Sequence, residues 1–396
     1  MRIAWLSNPT FGYSGYSIQT KMFVKKLQED GHQVCVVANR AIDDGPAITV
    51  DGIYNFPGGY FNWPKDGFHW GWRGLEVVAE RFKPEMCFTL FDIWSFDKGL
   101  GKRLEERNTP WVPIIPIDHD PIPGRTYERI KDIKFPVAMA PFGIEAMKKV
   151  GLEPKYLPHA VDTKLYRPYP TIPTMRQKMG GDEKNFIIGI VAANRARYDR
   201  KAFMQMLEAV GKMQARHKDV SCYFHGVADI HEGGYDLNSW AVVSGATIKV
   251  PELWQMIEGF SREQLVDIYN NMDVMLLTSR GEGFGIPLIE AQACGVPVIT
   301  TNFAAAKDLA ASNWLVNPKT KMITDLNSYQ AIPDVDEIVK YLEIAYDLWK
   351  RNKLYEQKAK ARKFAMQFDI DYVYAKYMIP LLDEIMKYKA EKANAK

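Results

Sequence analysis

The chain has 396 residues, of which 47% are hydrophobic and 25% charged, and its formal net charge is +3. This length exceeds the size at which one hydrophobic core keeps growing, so we expect two domains. The composition is that of a globular protein and excludes extensive disorder. The net charge is small and no block of Lys or Arg is present, so the charge does not indicate a nucleic-acid partner.

The start of the chain and its cysteines bear on location and redox chemistry. MRIAWLSN places only four apolar residues after one basic residue, too few for the apolar core of a signal peptide. No apolar run approaches the roughly 20 residues that span a bilayer, so a cytoplasmic protein is expected. The four cysteines are far apart without a C-x-x-C pair, which predicts buried free thiols rather than a zinc site.

Short apolar runs alternate with stretches of helical spacing along the first half of the chain. This alternation predicts a parallel sheet with crossover helices. The Pro-rich stretch 166–173 then breaks the pattern and is the predicted linker. The candidate strands before it are residues 2–7, 33–39, 85–91, 111–118 and 136–141.

The alternation restarts after the linker, with candidate strands at 186–194, 221–227, 273–279 and 297–301. Two doubly wound, Rossmann-like α/β domains are therefore predicted, and their ligands are expected at the carboxyl ends of the strands. We place the domains at 1–168 and 174–370. The segment 371–396 is predicted to be a C-terminal helix that crosses back to the first domain.

The stretch SRGEGFGIPLIEAQACG joins a glycine-rich loop to the start of a helix. Residues 279–285 leave a predicted strand, and the helix has Pro287 in its first turn and Gly295 after its end. The N–H groups at such a helix start favour an anion. The glycine spacing is G-x-G-x-G rather than G-x-G-x-x-G, which argues against a dinucleotide-binding dehydrogenase.

Two carboxylates accompany this loop. Glu282 would repel a bare phosphate, but a carboxylate is a pure hydrogen-bond acceptor that suits the paired hydroxyls of a ribose or a sugar ring. Glu290 lies about one turn into the helix, so both side chains can face one elongated ligand. The combination predicts a sugar nucleotide as the ligand.

The run EGFGIPLIEAQACGVPVI resembles the E-x7-E signature of retaining glycosyltransferases of the GT-B fold, family 4 type. The resemblance implies two Rossmann-like domains facing a central cleft, with C-terminal helices. It also implies that Glu282 contacts the donor-sugar hydroxyls and that Glu290 binds the nucleotide ribose. The loop residues that it places against the donor are Gly283, Phe284, Gly285 and Ile286.

Two cations match the same family. After the strand at 186–194, Arg195 and Lys201 match the residues that hold the donor diphosphate in similar enzymes. Cations at a strand exit can neutralise a leaving group, at about 1.5–3 kcal/mol for each charge-assisted hydrogen bond. Arg197 and Arg200 lie nearby and, like the chosen pair, would fit a solvated surface, so the choice rests on the resemblance.

In the first half, IPIDHDPIP places His119 directly after a strand, between Asp118 and Asp120. The resemblance implies that His119 hydrogen-bonds the donor sugar near the reacting carbon. The D-x-D spelling invites a metal-binding interpretation, but so short a pattern occurs by chance and no metal is predicted. A helix-capping Asp beside a structural His is the alternative.

Near the start, TFGYSGYSIQT occupies the place of the family's glycine-rich loop. The resemblance implies that Gly12 and Gly15 let the backbone approach the diphosphate and the acceptor. The family's adjacent Gly-Gly is absent, and a plain strand-to-helix turn capped by Ser17 fits equally well. LPHAVDTKLYRP resembles the segment that closes the first domain, with His159 and Ala160 in place of Asn-Gly.

Aromatic residues crowd the stretch 54–72, YNFPGGYFNWPKDGFHWGW. They could stack on an acceptor sugar, and an aromatic-packed loop or hairpin is the alternative. Lys21, Lys25 and Lys26 are expected to form a solvated helix face, with a weak peripheral contact to anionic lipid as the alternative.

The function implied by the resemblance is transfer of a hexose from a nucleoside diphosphate sugar, with retention at the anomeric carbon. A UDP or GDP sugar is the expected co-substrate, a carbohydrate or glycolipid the expected acceptor, and neither a metal nor another cofactor is required. Three alternatives stay open: a sugar-nucleotide epimerase or phosphorylase on the same scaffold, a DNA-modifying glucosyltransferase, and a non-catalytic sugar-nucleotide sensor. The sequence does not identify the sugar, the base, the acceptor or the oligomeric state.

Overall fold

A computed structural model of the protein describes residues 1–39, 46–58, 71–195, 198–230 and 233–394. The contacts divide the chain into two units. The first unit comprises Met1–Ala160, Asp325–Ser328 and Ile370–Lys396, and the second unit comprises Val161–Thr324 and Tyr329–Asp369. The division therefore falls before the Pro-rich stretch at 166–173, and the last helical segment groups with the first unit.

The strands and helices are numbered along the whole chain. The strands are β1 (Arg2–Ser7), β2 (Gln33–Ala38), β3 (Ile48–Val50), β4 (Ile53–Pro57), β5 (Met86–Leu90), β6 (Trp111–Ile115), β7 (Val137–Ala138), β8 (Lys155–Tyr156), β9 (Phe186–Val191), β10 (Val220–His225), β11 (Val274–Leu277), β12 (Val298–Thr301), β13 (Leu315–Val316), β14 (Pro318–Ile323) and β15 (Tyr329–Pro333). The helices are α1 (Gly15–Glu29), α2 (Trp72–Phe82), α3 (Leu100–Glu106), α4 (Gly124–Ile130), α5 (Pro141–Lys149), α6 (Pro173–Lys178), α7 (Phe203–Arg216), α8 (Leu237–Val243), α9 (Leu253–Glu258), α10 (Arg262–Asn270), α11 (Ile286–Ala293), α12 (Val335–Lys350), α13 (Tyr355–Ala365), α14 (Ile370–Val373) and α15 (Ile379–Asn394).

The first unit is built on a sheet with the strand order β3-β4-β2-β1-β5-β6-β7-β8. Every pair is parallel except β3 with β4. β1 is buried beyond its first residue because helices cover both faces of a parallel sheet, and Trp5 stacks on Phe88 with 5.1 Å between ring centroids. The predicted strands of this half are confirmed, although β7 keeps only two of the six residues assigned to it.

The second unit carries a parallel sheet with the order β10-β9-β11-β12-β13. The four strands predicted after the linker are present within one residue at their starts. β9 and β11 are neighbours at the centre of the sheet, so the loops that follow them leave the same edge side by side.

Helix α11 begins and ends where the sequence predicts. Pro287 lies in its first turn, and the helix ends before Gly295, which has a φ of +79°. The N–H of Gly295 donates to Gln292 at 2.9 Å, and the next N–H donates to Ala291 at 2.9 Å, which satisfies carbonyls at the helix end.

Two antiparallel hairpins were not predicted. β3 and β4 are joined by Asp51 and Gly52, both with positive φ, as a two-residue hairpin turn requires. β14 pairs with β15 in the same antiparallel sense.

All four cysteines are buried free thiols, as predicted. Burial raises the pKa of the Cys35 and Cys222 thiols to about 12, so both stay protonated at neutral pH. Within the described ranges, no helix is both long and apolar enough to cross a membrane.

Candidate active site

Two loops of the second unit meet at the carboxyl ends of β9 and β11. The backbone N–H of Arg280 donates to the carbonyl of Arg200 at 2.8 Å. In return the Nη1 of Arg200 donates to the carbonyl of Gly281 at 3.0 Å. The cationic turn after β9 and the glycine-rich loop after β11 are therefore tied together through both backbone and side chain.

The turn that carries Lys201 is shaped by its flanking residues. Asp199 and Ala202 both have positive φ, at 48° and 56°. The Asp199 carboxylate accepts the N–H groups of Phe203 at 2.8 Å and Met204 at 3.2 Å, which are orphan donors at the start of α7. Asp199 also lies 3.5 Å from Nη2 of Arg280, so the turn is fixed from two sides.

Glu282 is a buried carboxylate in the glycine-rich loop, and two cations balance its charge. Its side chain is 8% exposed and forms an ion pair with Lys201 Nζ, while Arg200 Nη1 lies 3.4 Å from its other oxygen. Burial would raise the pKa of Glu282, but the charges of Lys201 and Arg200 outweigh burial and lower the pKa to about 2. Glu282 is therefore a permanently ionised acceptor at neutral pH.

Glu290 lies in a different environment. It is 5% exposed, and its Oε2 accepts the hydroxyl of Tyr269 from α10 at 2.9 Å. Burial raises the pKa of Glu290, and the hydrogen bond from Tyr269 only partly opposes that rise. The two carboxylates of the motif are close in sequence, but their pKa values are shifted in opposite directions.

The glycine loop closes onto the start of α11. Gly285 has a φ of +108°, where a Cβ would be strained and would meet Leu288 Cδ1 at 3.0 Å. Phe284 is 3% exposed and packs edge-on against Phe368, with 5.8 Å between centroids. Gly283 and Ile286 are partly exposed beside them, and the first N–H groups of such a helix have no partner within the helix.

Of the arginines after β9, Arg195 was chosen from the sequence, but Arg200 contacts Glu282. Arg195 lies four residues after the end of β9 and is exposed, whereas Arg200 reaches Glu282. The sequence analysis left Arg200 as equivalent to surface charge. No signal in the sequence separates the two, because Arg200 lies in a turn formed by the left-handed residues Asp199 and Ala202.

The remaining predicted site residues belong to the first unit. His119 is 2% exposed, and its Nδ1 lies 2.6 Å from Oδ1 of Asp118. Gly12 and Gly15 flank the N-cap of α1, which is Ser14 rather than Ser17, because the Ser14 hydroxyl accepts the N–H of Ser17 at 3.1 Å. A Cβ on Gly12 would meet Ser17 Oγ at 2.5 Å, so packing against Ser17 favours glycine at this position.

The lysines of α1, a possible metal cluster and the aromatic stretch are the remaining candidate features. Two of the three lysines on α1 are paired: Lys21 with Asp51 at 2.5 Å, and Lys26 with Asp371 at 2.6 Å. Across the described residues, no cluster of three or more His, Cys, Asp or Glu side chains is arranged to hold a metal ion. Arg197 and most of the aromatic stretch, residues 59–70, lie outside the described residues.

The family model and the relatives that this chain matches are those of glycosyltransferases. Residues 171–361 match the family described as glycosyl transferases group 1. A relative from Sulfolobus islandicus rod-shaped virus 1, named as an uncharacterized glycosyltransferase, is 22% identical over 300 residues. That match covers 72% of this chain and 82% of the relative.

Several solved structures share the fold over nearly the whole chain. The sucrose-phosphate synthase of Thermosynechococcus elongatus matches with a TM-score of 0.76 and 14% identity, over 98% of this chain and 99% of that one. Anabaena HepE in complex with UDP-glucose matches with a TM-score of 0.69 and 18% identity, over 97% and 100%. The predicted GT-B fold of two Rossmann-like units is confirmed.

Proposed function

We propose that this protein transfers a hexose-like group from a nucleoside diphosphate sugar to an acceptor, with retention of the anomeric configuration. The observation that carries the proposal is the buried Glu282 held between Lys201 and Arg200 at the entrance to α11. This arrangement combines an ionised acceptor for sugar hydroxyls with cations for a diphosphate. The match to glycosyl transferases group 1 supports the same reaction class.

The charges divide the work between the two ends of the donor. Lys201, with Arg195 from the same strand exit, is proposed to bind the diphosphate and to stabilise its growing charge as the glycosidic bond breaks. Glu282 is proposed to accept hydrogen bonds from the sugar hydroxyls. Removing one preorganised charge partner of this kind commonly raises a barrier by about 2.7–4 kcal/mol.

The nucleotide end of the donor is assigned to α11. Glu290 is proposed to accept the ribose hydroxyls, and the N–H groups from Gly283 to Ile286 to face a phosphate at the helix start. The Anabaena HepE structure contains UDP-glucose, which supports a UDP sugar as the first donor to try here. A GDP sugar is the second.

The first unit supplies the remaining proposed roles. We propose that His119 contacts the donor sugar and that the turn at Gly12 and Gly15 serves the diphosphate or the acceptor. The hydrogen bond between His119 and Asp118 holds the imidazole in one orientation, as a positioning role needs. The acceptor is proposed to be a carbohydrate or a glycolipid, and no metal is proposed to take part.

One series of measurements tests the function. Thermal shift and calorimetry with UDP, GDP, ADP and their sugars should identify one nucleotide and its sugar, since a ligand at a hundredfold its Kd adds about 2.7 kcal/mol of stability. Product analysis by NMR with a panel of acceptors should then show the donor's anomeric configuration retained, with and without EDTA. Inverted product would overturn retention, and failure of every nucleotide to bind would overturn the function.

The same series separates the alternatives. Sugar interconversion without an acceptor would indicate an epimerase, and phosphate-dependent cleavage a phosphorylase. Tight donor binding without turnover on any acceptor would indicate a sensor. Salt-sensitive binding to duplex DNA, followed by sugar transfer to it, would indicate a DNA-modifying enzyme.

A further inference from the structure

A buried polar cluster surrounds Glu290 on the side of α11 that faces α10. Tyr269 is fully buried and donates to Glu290 Oε2 at 2.9 Å. Tyr166, also fully buried, packs against Tyr269 with 6.2 Å between ring centroids, and the guanidinium of Arg262 lies 5.5 Å from the centroid of the Tyr166 ring. Cys294, the residue directly after α11, also lies near Glu290.

We propose that Tyr269 is a positioning residue for Glu290: its hydroxyl fixes the carboxylate in one orientation and keeps it an acceptor for the hydroxyls of the nucleoside. The hydrogen bond occupies Oε2 and so leaves Oε1 to be directed elsewhere. A carboxylate with one oxygen held by a rigid, buried phenol loses little conformational freedom when a ligand binds to the other.

The two carboxylates of the motif have different electrostatic surroundings, so Tyr269 is expected to affect the protonation of Glu290 and not that of Glu282. Lys201 and Arg200 keep Glu282 ionised whatever Tyr269 does. For Glu290 burial prevails and raises the pKa, although the hydrogen bond from Tyr269, the neighbouring Tyr166 and the charge of Arg262 all lower it. Burial also raises the pKa of Tyr269 well above its ordinary value, so the phenol remains a proton donor across the neutral range. Of the two acids, Glu290 is therefore the one whose pKa is raised and which is protonated first as the pH falls.

The sign of the pH effect follows from this balance. Only the ionised carboxylate accepts hydrogen bonds through both oxygens. Nucleotide binding should therefore be present above the pKa of Glu290 and should be lost as the pH falls through it. Removing the Tyr269 hydroxyl takes away an interaction that favours the ionised form, so the pKa rises and the loss begins at a higher pH.

The inference rests on the proposed function, because it assumes that Glu290 contacts the nucleoside. The test uses the full-length protein and calorimetric titration with UDP, or with GDP if that is the nucleotide bound, from pH 5 to pH 8. The variants are Tyr269→Phe, which keeps the ring, and Glu290→Gln. Tyr346→Phe is the matched control, since the Tyr346 hydroxyl donates to the Asp219 carboxylate at 2.8 Å elsewhere in the second unit.

Tyr269→Phe should weaken nucleotide binding about tenfold at pH 6, the effect of one charge-assisted hydrogen bond, and should move the acid limb of binding to higher pH. Tyr346→Phe should bind like the wild type at every pH. Glu290→Gln should bind weakly with no acid limb.

Three results would decide against the inference in different ways. If Glu290→Gln weakens binding but Tyr269→Phe keeps the wild-type affinity and pH profile, Tyr269 is not a positioning residue. If Tyr269→Phe merely lowers thermal stability by as much as the Tyr346→Phe control, its role is structural. If the wild type binds no nucleoside diphosphate at all, the proposed function fails, and the inference fails with it.

Discussion

The ion pair between Lys201 and Glu282 makes a quantitative prediction. Lys201 and Arg200 lower the pKa of Glu282 from its ordinary 4.5 to about 2 against the opposing effect of burial. Since one pKa unit corresponds to about 1.4 kcal/mol, the lowered pKa contributes about 3 kcal/mol to the stability of the folded state. That contribution is fully present above pH 4.5 and is lost as the pH falls toward 2.

Replacing Lys201 by Met removes the closer cation and leaves Glu282 buried beside Arg200 alone. We expect Lys201→Met to destabilise the protein by about 2–3 kcal/mol, close to the cost of an uncompensated buried charge. Glu282→Gln should cost less, because Lys201 can extend toward water. The double variant should be more stable than the sum of the single effects, with a coupling free energy of about 2 kcal/mol.

Urea unfolding followed by tryptophan fluorescence measures these differences in all four proteins, at pH 7 and again at pH 3. The coupling should shrink at pH 3, because the Glu282 carboxyl, with its ordinary pKa of 4.5, is then already protonated in the unfolded chain. Calorimetry on the same proteins separates their roles in binding: Lys201→Met should weaken UDP itself, whereas Glu282→Gln should mainly weaken the intact sugar nucleotide. Additive stability effects within about 0.5 kcal/mol would refute the ion pair. Equal losses of UDP and donor affinity in Glu282→Gln would refute its assignment to the sugar.

Five further substitutions test other parts of the structure. Gly285→Ala should cost about 1–3 kcal/mol in thermal unfolding and weaken nucleotide binding, because the residue has a φ of +108°; a neutral result would show that the loop can rearrange. Arg200→Met should lower stability by under about 1 kcal/mol, and Arg195→Met should weaken UDP binding without a stability change; the reverse pattern would exchange their roles. Ser14→Ala should cost about 1 kcal/mol in thermal unfolding and Ser14→Asp should restore it, unless α1 is capped differently in solution.

The central strands were predictable because burial on both faces of a parallel sheet leaves a near-continuous apolar run, as in FIIGIV of β9. The two hairpins have no such run. β3 and β14 are three and six residues long and largely exposed, so their composition is that of loops. The Asp51–Gly52 pair did carry a turn signal, but the exposed residues on one side of it hid the strand.

The loop and helix of the motif were likewise readable, since Pro287 and Gly295 act through their own backbone preferences. Of the two cations that contact Glu282, only one was predicted from the sequence. Lys201 was chosen by resemblance, but Arg200 depends on a turn whose residues Asp199 and Ala202 adopt positive φ without being glycine. Such conformations are held by the surrounding hydrogen bonds, and a sequence pattern does not record them.

The spacing of Glu282 and Glu290 therefore specifies where two acids stand, and not what either acid can do. Their chemistry is set by partners distant in the chain: Lys201 lies 81 residues before Glu282, and Tyr269 lies 21 residues before Glu290. Two cations keep the first carboxylate ionised, whereas burial raises the pKa of the second and the phenol only partly opposes that rise. A chain that kept both acids but lost Lys201 would leave Glu282 with Arg200 as its remaining cation, and one that lost Tyr269 would have a Glu290 with a higher pKa. In the proposed function, the motif needs both partners to serve as a sugar-nucleotide site.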